Sequence, residues 1–216
     1  MYIAIEGVIG VGKTSLARLL QPSHGGNLLL EVFEENPFLS NFYKDRARYA
    51  FQTQMFFLLS RYHQQRRSVP NMLLQNRALL SDYTFDKDAL FARINLSGDE
   101  LEMYNKLHEA LAEKIPAPDL IVYLRATTET LMQRITTRDR SYERAMERDY
   151  IAVLNNEYDE YFLRPNVNLP VLVIDSNDLD FVHKEEDLDL IDNRIRQALR
   201  LPPFQIELPI PAGGED

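Results

Sequence analysis

Uninterrupted apolar runs alternate along the chain with longer stretches whose apolar positions recur every three or four residues. The runs Ile3–Glu6, Leu28–Val32, Ala78–Asp82, Leu120–Leu124 and Val171–Asp175 read as strands. Helical segments separate them, so the order is β-α-β and the sheet is expected to be mostly parallel. Leu120-Ile121-Val122-Tyr123-Leu124 lacks the polar alternation of a half-exposed strand. That pattern suits a sheet covered on both faces.

Punctuation bounds the helices. The first is expected to begin at the glycine-rich turn after Glu6 and to stop near Gln21-Pro22, because proline does not continue a helix. Pro37 to Arg67 reads as long and helical, with a break near Lys44-Asp45. Gly98-Asp99 precedes another helix, which ends before Pro116 and Pro118. Thr127 is placed to cap a further one, with Glu129 and Thr130 in its first turn. Charge is dense from Arg138 to Arg148, between two helical patterns. Residues 201–216 hold Pro202, Pro203, Pro209, Pro211 and Gly213-Gly214, and read as an extended tail. The expected layout is one domain over 1–200, with a lid at about 138–148, and the tail.

Composition narrows the function. With 45% hydrophobic residues in 216, the chain is long enough for one domain with a sizeable core. No apolar run approaches the ~20 residues of a membrane span, and the first residues lack the features of a signal peptide. Cysteine is absent, which excludes disulfides, zinc-thiolate sites and a catalytic thiol, and points to a reducing cytoplasm. The net charge of −9 argues against a nucleic-acid polymer as ligand, because backbone binding needs a basic surface. Small anions held by local donors are not excluded. His24, His63, His108 and His183 are scattered without metal-ligand spacing.

Gly7-Val8-Ile9-Gly10-Val11-Gly12-Lys13-Thr14, followed by Ser15, matches the phosphate-loop pattern. Glycines let backbone N–H groups turn toward phosphate oxygens, and Lys13 places a charge near the outer phosphates. Thr14 can ligate Mg²⁺, and the following helix presents its positive end to the anion. The loop lies between an apolar strand and an amphipathic helix, the context that separates this motif from an ordinary glycine-rich turn. A bound nucleoside triphosphate is the firm expectation. Glu31 and Asp82 fall at the carboxyl ends of the second and third strands, where ligands sit in open α/β sheets. One can accept a proton from an attacking hydroxyl while the other helps hold the metal, and either can be the base.

Further motifs follow in order. Asn36-Pro37-Phe38-Leu39-Ser40-Asn41-Phe42-Tyr43-Lys44 leads to Tyr49-Ala50-Phe51-Gln52-Thr53-Gln54, and Arg61 lies two helical turns past Gln54. From periodicity alone, Gln54 and Arg61 are polar residues of an amphipathic helix, although a glutamine amide suits base readout. Asp82-Tyr83-Thr84 is followed by Lys87-Asp88, and Arg134 shares a helix face with Arg138 ahead of Arg140 and Glu143. Asp178-Leu179-Asp180-Phe181 follows the last strand.

On these motifs the chain, from Met1 to about Phe181, resembles the deoxynucleoside kinases, which include deoxyadenosine, deoxyguanosine and deoxycytidine kinases. The resemblance implies an α/β phosphate-loop kinase with a five-stranded parallel sheet and an arginine-rich lid. It also implies transfer of the γ-phosphoryl of ATP to a deoxynucleoside 5′-hydroxyl with Mg²⁺, and a homodimer. By the same resemblance Glu31 is the base at the 5′-hydroxyl, although Val32 stands where the family usually has proline. Tyr43 and Glu143 reach the sugar 3′-hydroxyl, Gln54 pairs with the base, and Arg61 with Asp88 favours purines and cytosine over thymine. Thr14 and Asp82 hold or position the metal. Lys13, Arg134, Arg138 and Arg140 offset phosphoryl charge, and Asp180 and Phe181 wrap the donor adenine. Tyr83 departs from the family, which usually has arginine there; the cation near the 5′ end is either missing or comes from elsewhere, with Lys87 one candidate. The rivals are a thymidylate-like monophosphate kinase, which would bind an acceptor phosphate, and a nucleotide-dependent switch, which would release only inorganic phosphate.

Overall fold

A computed structural model describes residues 1–74, 78–141, 143–144, 146–164 and 170–201. The expected tail therefore lies outside the described residues, apart from Leu201. Five parallel strands, β1 (Tyr2–Glu6), β2 (Asn27–Leu29), β3 (Leu79–Ser81), β4 (Leu120–Arg125) and β5 (Val171–Asp175), form one sheet in the order β2-β3-β1-β4-β5. Ile3 pairs with Leu80 on one side and with Leu120 on the other. Side chains of β1 alternate between faces. Tyr2 and Ala4 cluster with Leu79, Tyr83 and Val69, while Ile3 and Ile5 join the main core with Leu16 and Leu20. Every residue of β1 is buried, as the apolar pattern requires of a central strand.

The second strand ends at Leu29, not at Val32 as the pattern suggests. Beyond Leu29 side chains take over the backbone hydrogen bonds. Glu31 N–H donates to Asp82 Oδ1 at 2.8 Å, and Leu30 C=O accepts from Gln64 Nε2 at 2.9 Å. The chain thus leaves the sheet early and turns through Phe33–Glu35, a single 3-10 turn.

Helix α1 (Lys13–His24) passes through Pro22 instead of stopping there. A proline near the end of a helix forfeits one hydrogen bond without breaking the last turn. The stop comes at Gly25, in the left-handed conformation at φ 58°, with its N–H on Pro22 C=O at 3.3 Å. The break near Lys44-Asp45 is present between α2 (Leu39–Phe42) and α3 (Arg46–Leu73), and Asp45 caps the latter through Arg48 N–H. After α4 (Lys87–Asn95) and α5 (Gly98–Ala112), α6 (Thr128–Arg138) is capped by Thr127 as expected, its hydroxyl accepting from Thr130 N–H at 3.2 Å. Helices α7 (Arg148–Phe162) and α8 (Glu185–Ala198) complete the layers, with α8 packed on α1 and α7 on α4 and α6. Among the described residues no helix is long and apolar enough to cross a membrane.

Candidate active site

The phosphate loop leaves β1 and closes on Lys13, the first residue of α1. Gly7 sits at φ 146°, and a Cβ there would lie 2.4 Å from Leu124 O, so only glycine fits. Gly12, at φ 106°, packs against Phe181 of the loop after β5; a Cβ would meet the ring at 2.8 Å. Gly10 and Lys13 line the crevice, Val11 is buried beneath the loop, and Ser15 is exposed. Among the described residues no side chain caps α1, so its first N–H groups stay available to an anion. Lys13 Nζ folds back onto Gly7 O at 2.6 Å and Val8 O at 3.1 Å. Burial, reinforced by the nearby Lys87 ammonium, pushes its pKa down to about 7.

Thr14 Oγ1 donates to Asp82 Oδ2 at 2.5 Å. A hydroxyl and a carboxylate side by side are hard oxygen donors. Among the described residues no group of three or more His, Asp or Glu gathers around a point. That arrangement fits Mg²⁺, which takes one or two protein ligands and fills its other positions with water and substrate phosphates.

Glu31 occupies the middle of the crevice. Arg61 donates Nε to its Oε1 at 3.0 Å and adds Nη2 to the same oxygen, while Lys87 Nζ donates to Oε2 at 2.5 Å. Burial alone would raise the Glu31 carboxyl, but Arg61 and Lys87 outweigh it and hold it well below the usual carboxylate range. Arg61 Nη1 also donates to the fully buried Asp88. Its guanidinium lies 4.6 Å from the centre of the Phe57 ring.

Tyr43, Phe57 and Phe91 line this part of the crevice beside Thr53 and Gln54. Thr53 Oγ1, Gln54 Oε1 and Asp88 Oδ2 are buried with no hydrogen-bond partner among the described residues. Buried polar atoms cost free energy when unpaired, and Thr53 and Gln54 line the crevice, so that pair marks a place for a polar ligand; Asp88, paired with Arg61, does not line it.

Across the crevice lie Arg138, Arg140 and Glu143. Arg138 Nη2 grips both Glu143 oxygens, at 2.7 and 2.6 Å, and Arg140 stands 3.7 Å from the same carboxylate and over the Phe33 ring. Tyr142 lies outside the described residues. Arg134, expected beside Arg138, does not line the crevice. It donates to Val11 O at 3.3 Å, Ser176 O at 2.6 Å and Leu179 O at 3.4 Å, bracing the phosphate loop against the loop after β5. There Phe181 meets Gly12, while the Asp180 carboxylate takes the His183 ring at 2.9 Å.

Tyr83, where the family usually has arginine, serves the packing of the site. Its ring is buried, and its hydroxyl donates to Gln64 Oε1 at 2.5 Å. Gln64 in turn holds Leu30 C=O, so Tyr83 supports the backbone just ahead of Glu31. The cation on the free oxygen of Glu31 is Lys87. Sequence reasoning missed Glu6, fully buried at the carboxyl end of β1, which accepts from Thr84 N–H at 2.5 Å and Oγ1 at 2.8 Å and from Gly7 N–H at 3.2 Å. Burial raises its pKa. The strand-end rule that singled out Glu31 and Asp82 applies equally to it.

Residues 3–200 match the family model described as deoxynucleoside kinase. The chain belongs to the deoxynucleoside kinase family. It is 34% identical over 201 residues to a deoxyguanosine kinase of Bacillus subtilis, covering 92% of this chain and 97% of that one. A deoxyadenosine kinase of Dictyostelium discoideum is 34% identical over 195 residues, covering 88% and 77%. The solved structure of deoxyadenosine kinase from M. mycoides with bound dATP superposes with a TM-score of 0.79 at 27% identity, covering 91% of this chain and 99% of that one. A kinase of this family is a phosphotransferase, which agrees with a crevice built around a phosphate loop and a buried carboxylate.

Proposed function

We propose that this kinase transfers the γ-phosphoryl of ATP to the 5′-hydroxyl of a deoxynucleoside, namely deoxyadenosine, deoxyguanosine or deoxycytidine. One observation carries the proposal: a single crevice brings Glu31 together with the Thr14–Asp82 pair, the rings of Phe57 and Phe91, and Gln54, whose Oε1 has no partner among the described residues. The names of the relatives support the same substrate class. In this scheme Glu31 takes the hydroxyl proton, and Gln54, with Arg61 and Asp88, recognises the base. Tyr43 and Glu143 reach the sugar, and Arg138 and Arg140 reach phosphoryl oxygens once Glu143 turns to it. Gly7 to Ser15 cradle the triphosphate, with Phe181 and Asp180 on the adenine side; Arg134 acts there by supporting the loop. Thr14 and Asp82 would hold Mg²⁺, which supplies charge neutralisation at the phosphates.

A monophosphate kinase would bind an acceptor phosphate, and assaying each monophosphate beside its deoxynucleoside separates the two. The proposal extends to a body over 1–200, a lid at about 138–148 and a tail over 201–216. It also includes a homodimer, measurable by light scattering, and a cytoplasmic location consistent with the absence of cysteine. Incubation with ATP, Mg²⁺ and each of four deoxynucleosides or their monophosphates tests it. Labelled phosphate on a purine deoxynucleoside or deoxycytidine is expected; label only on monophosphate acceptors, or only as inorganic phosphate, refutes it.

A further inference from the structure

Lys87 opens α4 with its side chain only 7% exposed, and its ammonium sits on Glu31 Oε2. The Phe91 ring centre lies 5.8 Å away, and the side chain lines the crevice with Lys13, Thr14 and Asp82. An ammonium has three N–H donors. Glu31 takes one of them.

The neighbouring cations are held differently. Arg61 spends Nε and Nη2 on Glu31 Oε1 and Nη1 on Asp88, which fixes it at three nitrogens. Arg138 is closed on Glu143, and Lys13 on two loop carbonyls. Because Arg61 covers Oε1 with two N–H groups, a hydroxyl that hands its proton to Glu31 meets Oε2, the oxygen Lys87 holds. Two groups hydrogen-bonded to one carboxylate oxygen lie about 3–5 Å from each other. The Lys87 ammonium therefore stands next to the attacking oxygen, on a flexible stem that needs only a rotamer change to reach it.

Resting on the reading of this crevice as a deoxynucleoside kinase site, we propose that Lys87 is a catalytic residue whose ammonium donates to the acceptor 5′-oxygen and the incoming phosphoryl group. The bond from the 5′-oxygen to the γ-phosphorus forms while the bond from that phosphorus to the β–γ bridging oxygen breaks. The bridging oxygen keeps the electron pair and leaves with ADP, and the hydroxyl proton goes to Glu31. Lys87 keeps its own protons and donates hydrogen bonds only. A hydrogen-bond donor at a site of developing charge contributes about 10²–10³-fold in rate.

Lys87→Gln removes the charge while retaining an N–H donor of similar reach, and Lys87→Arg returns the charge. The expected result is a kcat lower by about 100-fold or more. KM for the deoxynucleoside and the dissociation constant for ATP should stay within about threefold, as expected when an interaction of the transition state is removed. Lys87→Arg should recover at least about tenfold over the glutamine variant, because it restores the charge. A glutamine variant with near wild-type kcat, or a loss confined to KM, overturns the proposal. Should the glutamine variant fail to fold, Lys87→Met against Lys87→Arg decides it, and equal loss in both overturns it. Wild-type enzyme that phosphorylates no deoxynucleoside overturns the underlying reading and this inference with it. Wild-type transfer beside an unimpaired glutamine variant overturns the inference alone.

Discussion

Two cations converge on Glu31, and their convergence sets the consequence of replacing it. Glu31→Gln keeps the shape of the side chain but removes the group proposed to take the proton. General-base removal lowers kcat by about 10²–10⁴-fold, while the ATP dissociation constant, measured by calorimetry, should change by less than about threefold because the phosphate loop is untouched. Full turnover in that variant would remove Glu31 from the mechanism. Arg61 and Lys87 would then face a neutral amide, and breaking a buried ion pair costs about 3–5 kcal/mol, so a lower melting temperature should accompany the loss. Glu31 and Asp82 were legible in the sequence because each follows an apolar run, where a parallel strand delivers it to the crevice. The partner of Tyr83 was not, because Gln64 lies 19 residues earlier on another element and no local pattern joins them. Arg134 and Arg138 do share a helix, but Arg134 is held by the carbonyls of Val11, Ser176 and Leu179, whereas Arg138, the last residue of α6, pairs with Glu143.

Among the elements, the contact between α1 and α8 depends on one carboxylate. Asp192 Oδ1 meets His24 Nε2 at 2.7 Å, Oδ2 accepts from Arg196 Nε at 3.0 Å, and Arg196 Nη2 reaches Ser23 O at 2.9 Å. Burial would raise the Asp192 carboxyl, but His24 and Arg196 hold it below its ordinary value. A depressed carboxylate contributes stability fully above its unfolded pKa of about 3.9, and loses it as pH falls through the lower folded value. Asp192→Asn should therefore cost about 1–2 kcal/mol at pH 7, with the deficit closing below about pH 4. Urea titrations at several pH values measure this; a deficit unchanged at acid pH would assign it to packing. The same helix pair shows where element boundaries escape sequence reading. Pro22 marked the end of α1 on chemical grounds, yet Gly25 provides the actual cap, and proline in a last turn removes too little to end it. Likewise the strand pattern of Leu28–Val32 is real, but Asp82 and Gln64 capture the backbone from Leu30 onward.

At the scale of the whole molecule, alternating apolar runs and helical segments announced a parallel sheet, but not the order β2-β3-β1-β4-β5. Strand order depends on which neighbours each crossover helix packs against, and every run looks equally apolar from within its own segment. The chain's net charge of −9 opposes a bound tetra-anion, so the local donors at Gly7 to Thr14 must offset it. ATP with Mg²⁺ at about 100 times its dissociation constant adds about 2.7 kcal/mol to the folded state. For a chain of this size that raises the melting temperature by roughly 5–10 °C. A thermal-shift titration with no rise up to millimolar nucleotide would deny the loop its proposed ligand.

The position of β1 between β3 and β4 divides labour across the sheet. Glu31, Asp82, Gln54, Arg61 and Lys87 come from the β2–β3 side with α3 and α4, whereas Arg134 and Phe181 come from the β4–β5 side. The strand carrying the phosphate loop is the seam between two workshops that share one bench. Changes in the residues that α3 presents to the crevice can therefore alter base preference while the β4–β5 side keeps its hold on the phosphate loop. A designer who wants a different base should recut the crevice face of α3 and leave Glu31, Asp82, Lys87 and the β4–β5 side alone.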